Sequence, residues 1–401
     1  MGGGASGYFA AITCAENNPN CETILFEGTS KPLAKVLVSG GGRCNVTHHC
    51  FEPAELVKNY PRGFKELRSP FSRFQPKDTV AWFEKRGVPL KIEKDGRMFP
   101  TTDRSETIAQ CLRQAAENSR VKVELESRIK KITYDSSLKK FSFGDSPSLF
   151  DQVVLATGGS ASGYELARSL GHTLIPSVPS LFTFNIEDPR LMGLEGLSFQ
   201  DATLSLLPKE SEKSFLQRGP LLITHWGLSG PAVLKLSAWV ARELFESHYQ
   251  ADLKINFLSG ENLLTAIEKI SKHKNENTRK NIHTDPALPV TKRFWARTCE
   301  TLQIPANLNW ASLTKAMLQR IAQELTEAKY LVTGKGVFKE EFVTAGGVSL
   351  KEIDFKTMQS RICPGLYFAG EIMDVDGITG GFNFQNAWSS GWIAGQSIAN
   401  L

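Results

Sequence analysis

The sequence predicts an α/β fold. A three-layer α/β domain has segments at both ends of the chain and is interrupted by a barrel-like β lobe and a helical lobe. Three observations predict it. A glycine-rich loop opens a helix at the N-terminus. Apolar strands run into glycine turns at 151–159 and again at 365–371. The region between them changes first to alternating strands and then to helices. Strand–glycine turn–helix units build parallel sheets with ligand sites at the strands' carboxyl ends. The predicted bounds are 1–180 and 345–401 for the α/β domain, 181–258 and 329–344 for the β lobe, and 259–328 for the helical lobe.

The elements follow in order. Gly2–Gly7 reads as a loop, about residues 5–17 as a helix, and 23–26 as a short buried strand. Helices follow at 76–85 and 105–118, then strands at 121–125, 129–134, 140–143 and 151–156. In the middle, strands are expected at 182–186, 202–206, 221–224 and 253–257, with one helix at 232–245. Helices at 261–272, 290–302 and 310–327 come next. The polar stretch 273–285 between the first two reads as a mobile surface loop. Strands return at 329–333, 341–344 and 365–369, and a last helix begins near Asn383.

With 401 residues, 41% hydrophobic and 22% charged, the chain has room for about two or three domains and for a core that encloses a cofactor. The net charge of +5 is spread along the chain, so a polyanionic partner is compatible but no concentrated basic patch demands one. Seven scattered cysteines without a CxxC pair predict reduced thiols and a cytoplasmic setting. No apolar run nears the ~18 residues of a membrane span, and no signal peptide is read.

Four motifs carry chemistry. Gly2, Gly4 and Gly7 fit G-x-G-x-x-G and open a helix whose N-terminal amides suit a pyrophosphate. Glu27 follows at the end of the next strand, where an acid takes ribose hydroxyls, and together these mark a Rossmann-like dinucleotide-binding unit. That fingerprint ordinarily follows a buried strand of about five or six residues. Only Met1 precedes it, so the sequence predicts that the central strand is absent and the phosphate loop lacks its support.

The second motif, Ser39–Thr47 (SGGGRCNVT), offers glycines for close backbone approach. Arg43 supplies a planar cation for a phosphate or an anionic flavin, and Asn45 adds a short polar group. Cys44, His48, His49 and Cys50 crowd too closely for a standard zinc pattern, so no metal is expected. The third, Leu155–Gly159, is a strand entering the Thr157-Gly158 turn. The fourth runs from Leu366 through Gly370, Glu371 and Asp376 to Gly380, Gly381, Phe382 and Asn383. It delivers acids to a strand end and opens a helix that suits the negative charge of a reduced flavin. No second G-x-G-x-x-G occurs, so no separate nicotinamide domain is expected.

At these residues the chain resembles the bacterial flavoproteins of the BaiN/RdsA type (YhiN-like), NAD(P)/FAD-dependent oxidoreductases also called aminoacetone-oxidase-family enzymes. The likeness runs almost end to end. It rests on SGGGRCNVT, Gly96–Pro100 (GRMFP), LATGG, Thr224–Pro231 (THWGLSGP), Thr344–Val348 (TAGGV) and Gly365–Gly391. It implies a glutathione-reductase-type FAD domain with inserted lobes. It implies FAD contacts at Ala5, Ser6, Glu27, Lys35, Arg43, Cys44, Asn45, Ile129, Thr157, Gly158, Gly370, Glu371, Asp376, Gly380, Gly381, Phe382 and Asn383. The loop from Gly159 to Tyr164 is shorter than in many relatives.

The expected reaction is hydride transfer between flavin N5 and a substrate. One form is NAD(P)H-driven reduction of an activated C=C bond, such as uracil to dihydrouridine in ribosomal RNA, with NAD(P)H bound only transiently. The alternatives are oxidation of a small amine such as aminoacetone, or an inactive or truncated flavoprotein. The substrate is thus a small molecule or RNA, with no membrane partner. Arg43 and His225 are the catalytic candidates, although a buried structural histidine is the competing reading of His225.

Overall fold

The computed structural model describes residues 1–144, 147–336 and 343–401. The chain divides into two compact units, 1–180 with 339–401, and 181–338. The segments read as a β lobe and a helical lobe fall within one unit, apart from 343–344. Residues 341–342 of the predicted strand 341–344 lie outside the described residues.

In the first unit, Ile24–Phe26 pairs in parallel with Lys122–Glu124, and Val153–Leu155 pairs in parallel with Leu366–Phe368. The antiparallel strands Gln359–Ser360 and Ile353–Asp354 extend the second pair. Two residues join the pieces. The Gly2 N–H donates to the Phe26 carbonyl at 2.8 Å, the Met1 amino group donates to the Val154 carbonyl at 2.9 Å, and the Ala156 N–H donates to the Met1 carbonyl at 2.9 Å. Met1 and Gly2 therefore bridge the place where the sequence analysis expected no central strand, and their backbone supports the glycine loop directly.

Helix Ala5–Asn17 begins and ends where its pattern predicts and is buried from Ser6 to Ala15. Its partner is helix Phe382–Ala399. The two axes approach closely because Gly391 and Gly395 have no side chain. A Cβ there would lie 2.6 Å from the Ser6 carbonyl oxygen and 2.5 Å from that of Ala10. Phe9, Phe74, Phe83 and Trp388 fill the space beside this contact, with Phe9 and Trp388 ring centroids 5.2 Å apart. Helix Ser105–Asn118 closes the same core through Ile108 and Leu112.

Strand Leu174–Ser180, unforeseen in the sequence, pairs antiparallel with Val343–Val348. Pro176 and Pro179 mask it as a turn, and the strand accommodates them beside a register shift between Ile175 and Val178.

The second unit is built on a seven-stranded antiparallel sheet with Ala328–Val332 and Gly334–Lys335 at its ends. Those two end strands are separated by Thr333 alone, whose N–H donates to the Asn185 carbonyl at 3.0 Å, so the chain passes directly from one end of the strand order to the other and the sheet curls on itself in the predicted barrel-like manner. The predicted helix 232–245 is two helices, Pro231–Trp239 and Ala241–Glu246, divided at Val240. The predicted mobile loop 273–285 is folded down instead. Helix Leu263–Glu276 covers its first four residues, Ile282 is buried, and Asp285 accepts from Trp310 at 3.1 Å and contacts His273 Nε2 at 2.6 Å. Local polarity hid these contacts because their partners lie 12 to 25 residues away. No helix among the described residues is long and apolar enough to cross a membrane.

Candidate cofactor site

Glu27 organises one end of the site. Its Oε2 accepts from the Gly3 N–H at 2.7 Å, and its Oε1 accepts from the Thr29 N–H at 2.9 Å and hydroxyl at 2.8 Å. The strand end thereby holds a carboxylate in one orientation, with lone pairs left for further donors.

The three fingerprint glycines differ in role. Gly2 has φ +100°, and a Cβ there would meet the Ala156 carbonyl oxygen at 2.4 Å. At Gly7 it would meet the Gly2 carbonyl oxygen at 1.9 Å. At Gly4 it would meet nothing within 4 Å. Two glycines let the backbone pack on itself, and the third leaves open space in front of a helix N-terminus.

A cavity of about 200 Å³ lies beside this turn, lined by Gly2, Glu27, Gly28, Thr29, Arg128, Ile129, Thr157 and Ser160 among others. Thr157 Oγ1 is buried in this wall without a hydrogen-bond partner. Buried hydroxyls are rarely left so, and a bound ligand is one way to satisfy one. An acid fixed for ribose hydroxyls, an open phosphate turn and an unsatisfied hydroxyl on one cavity fit the adenine dinucleotide portion of FAD.

Ser6, Lys35, Gly158, Gly370 and Glu371 gather nearby. Ser6 Oγ donates to the Ala369 carbonyl at 3.2 Å, Lys35 Nζ lies 2.5 Å from Glu371 Oε2, and Glu371 Oε1 accepts from the Thr344 N–H at 3.1 Å. Gly370 has φ +77°, and a Cβ there would lie 2.6 Å from Ser6 Oγ. Lys35 is 65% exposed, so its ion pair positions Glu371 more than it stabilises the fold.

The second and fourth motifs meet at the other end. Helix Ala34–Gly42 breaks at Ser39, where Gly40 and Gly41 turn with φ of +58° and +67°. Asn45, with its amide oriented to satisfy both partners, donates to the Thr47 carbonyl at 3.1 Å and accepts from the Gly381 N–H at 2.9 Å. Gly381 caps helix Phe382–Ala399. Behind them, Gln385 Oε1 accepts from the hydroxyls of Thr47 at 2.6 Å and Thr79 at 2.9 Å.

Other candidates stand differently. Arg43 donates to Glu93 at 2.6 Å and lies 4.0 Å over the Phe99 ring, so its cation is already engaged within the chain. Cys44 is fully buried with φ +60°, and burial pushes its thiol up to about 12. It is a neutral thiol at physiological pH, and its N–H is donated to the Ser39 carbonyl at 3.0 Å. Phe382 packs its ring on His48 at 4.7 Å. The Asn383 amide closes a ring of hydrogen bonds with the Gly377 backbone, both 2.8 Å.

Asp376 is buried in an ion pair with Arg62 and accepts from Ser180 Oγ at 2.7 Å. It braces the turn and does not face the cavity wall. His225 is exposed in the turn between strands Phe215–Thr224 and Gly227–Ser229 of the second unit, so the buried structural reading of it fails.

Sequence reasoning missed Thr29, Arg128 and Ser160 on the cavity, and also Arg62 and Gln385. Ser160 alone had a signal: it follows the LATGG turn and caps helix Ala161–Ser169 through the Gly163 N–H at 3.1 Å.

The family model described as the HI0933-like protein Rossmann domain matches residues 1–397. The chain belongs to the HI0933-like Rossmann family. Two relatives match this HI0933-like chain over nearly their whole lengths. A ribosomal RNA dihydrouridine synthase of Escherichia coli (strain K12) is 31% identical, covering 99% of this chain and 96% of its own. A 3-dehydro-bile acid delta(4,6)-reductase of Clostridium scindens is 27% identical, covering 100% and 98%. The fold is also shared with a 3-ketosteroid-delta4-(5alpha)-dehydrogenase from Rhodococcus jostii RHA1. There the TM-score is 0.50 at 14% identity, covering 99% of this chain and 95% of that one.

Proposed function

We propose that this HI0933-like chain is an FAD-dependent oxidoreductase that reduces an activated carbon–carbon double bond, with uracil in ribosomal RNA as the substrate. The observation that carries the flavin assignment is Glu27, held by Gly3 and Thr29 at the rim of the cavity where Thr157 leaves a hydroxyl unsatisfied. One relative named as a delta(4,6)-reductase and one named as a ribosomal RNA dihydrouridine synthase support the reaction class, and the second supports the substrate.

Once bound and reduced by two electrons, FAD would supply the hydride. The chain supplies position and field. Gly4 and the N-terminus of helix Ala5–Asn17 would receive the diphosphate, and Glu27 would take ribose hydroxyls. Asn45 fixes Gly381 at the N-terminus of helix Phe382–Ala399, where the helix dipole would favour the negative charge of a reduced flavin. NAD(P)H would act as a transient reductant. An RNA substrate places the protein in the cytoplasm.

The test is spectroscopic first. The purified protein should show flavin absorbance, bleach anaerobically with NADPH and not with aminoacetone, and add dihydrouridine to ribosomal RNA from cells lacking it. A folded protein without flavin absorbance would sink the assignment. Bleaching by aminoacetone alone would replace C=C reduction with amine oxidation.

A further inference from the structure

The chain carries an aromatic and basic ridge beside the turn that ends in helix Phe382–Ala399. Residues 62–73 hold four cations, Arg62, Lys65, Arg68 and Arg73, against one carboxylate, Glu66. Arg62 is spent on Asp376. Lys65, Arg68 and Arg73 are exposed, and so is Lys356, whose carbonyl accepts from Arg73 at 2.5 Å. None of these four is in an ion pair among the described residues.

Phe64 stands in this field 40% exposed, with the Lys65 ammonium 5.7 Å from its ring centroid. That exposure leaves part of its ring surface open to a stacking partner. The ridge is nonetheless held firmly. Arg62 grips Asp376, the Tyr60 hydroxyl donates to the Phe382 carbonyl at 2.6 Å, and Gly63 sits so close to Val375 that a Cβ would lie 2.7 Å from its methyl group.

We propose that this ridge binds single-stranded RNA: Phe64 stacks on an unpaired base, and Lys65, Arg68, Arg73 and Lys356 take the flanking phosphates. The proposal rests on the RNA reading above and adds the surface that presents the strand. Single-stranded nucleic acid is held by aromatic platforms set in unpaired positive charge, the combination found here. A lipid surface would need an apolar helix face to insert. Helix Arg68–Arg73 has six residues and buries Phe71, so it offers no such face. The ridge is fastened to the turn that carries Asp376 and Gly377 at the approach to Gly380 and Gly381, so a strand lying on it passes beside the flavin-binding end of the site.

The test uses the flavin-loaded full chain and a fluorescein-labelled single-stranded oligouridylate, with anisotropy measured across salt concentrations. Phe64→Ala should weaken binding roughly ten-fold with the salt slope unchanged, and Phe64→Trp should retain binding. The triple variant Lys65→Gln, Arg68→Gln, Arg73→Gln should lower the slope by about two, at about 0.7 per lost phosphate contact. Unchanged flavin absorbance in each variant reports an intact fold. Wild-type binding with both variants at wild-type affinity and slope overturns the ridge and leaves the RNA reading standing. No salt-dependent RNA binding by the wild type overturns both. Loss of binding to phosphatidylglycerol vesicles in the variants, with RNA binding intact, would make this a lipid surface and also overturns it.

Discussion

At the scale of single residues, the site depends on a few groups whose partners lie far away in sequence. Glu27 is the first. Replacing it with Gln removes the charge that ribose hydroxyls would meet while keeping one acceptor for the backbone. A hydrogen bond to a charged group is worth about 1.5–3 kcal/mol, so Glu27→Gln should weaken FAD binding by roughly ten-fold or more with the fold intact. Fluorimetric titration of the deflavinated protein reads this, and unchanged affinity would remove Glu27 from the site. Asp376 is the second. Burial raises its carboxyl above the usual range, and Arg62 opposes that. The folded state therefore holds this proton more tightly than the unfolded chain. Stability from this group is greatest at low pH and falls as pH rises toward the raised value. Arg62→Ala leaves a buried carboxylate uncompensated and should cost about 3–5 kcal/mol near neutrality. The cost should shrink as pH falls toward the carboxyl's raised value, and urea melts at two pH values would show it. A pH-independent loss would mean that Arg62 acts through packing.

At the scale of elements, the contact between helices Ala5–Asn17 and Phe382–Ala399 brings the first and last motifs together. That contact tolerates no side chain at Gly391 or Gly395. Gly395→Val should overpack it and destabilise the protein by about 1–3 kcal/mol. The measurement is a shift in denaturation midpoint at constant slope, and an unshifted midpoint would mean the helices separate without cost. The Gln385 amide links the same helix to Thr47 and Thr79, so the glycine turn of the second motif is positioned from behind by a buried polar network.

At the scale of the whole molecule, the two termini build one unit while residues 181–338 form another with its own seven-stranded sheet. FAD bound to the native state alone should raise stability by mass action, by about 2.7 kcal/mol at a free concentration one hundred times its Kd. Urea titrations of the deflavinated protein with and without added FAD measure this. Coincident curves would show that the folded first unit does not bind the flavin.

What the sequence determined by itself was local. Gly2, Gly4, Gly7 and Glu27 were legible because a turn, a helix and a short strand space them rigidly along the chain. Helices Ala5–Asn17 and Ser105–Asn118 were read with their observed limits from hydrophobic period and flanking residues. Tertiary structure decided whatever joins distant segments. The Lys35–Glu371 pair spans 336 residues and the Arg62–Asp376 pair 314, and no spacing rule reaches that far. It turned Arg43 toward Glu93, sealed Cys44 in the core, put His225 on the surface, and let Met1 and Gly2 bridge two parallel pairs. The physical reason is that short-range preferences fix backbone conformation residue by residue. Burial and charge pairing depend on which segments the whole fold brings together.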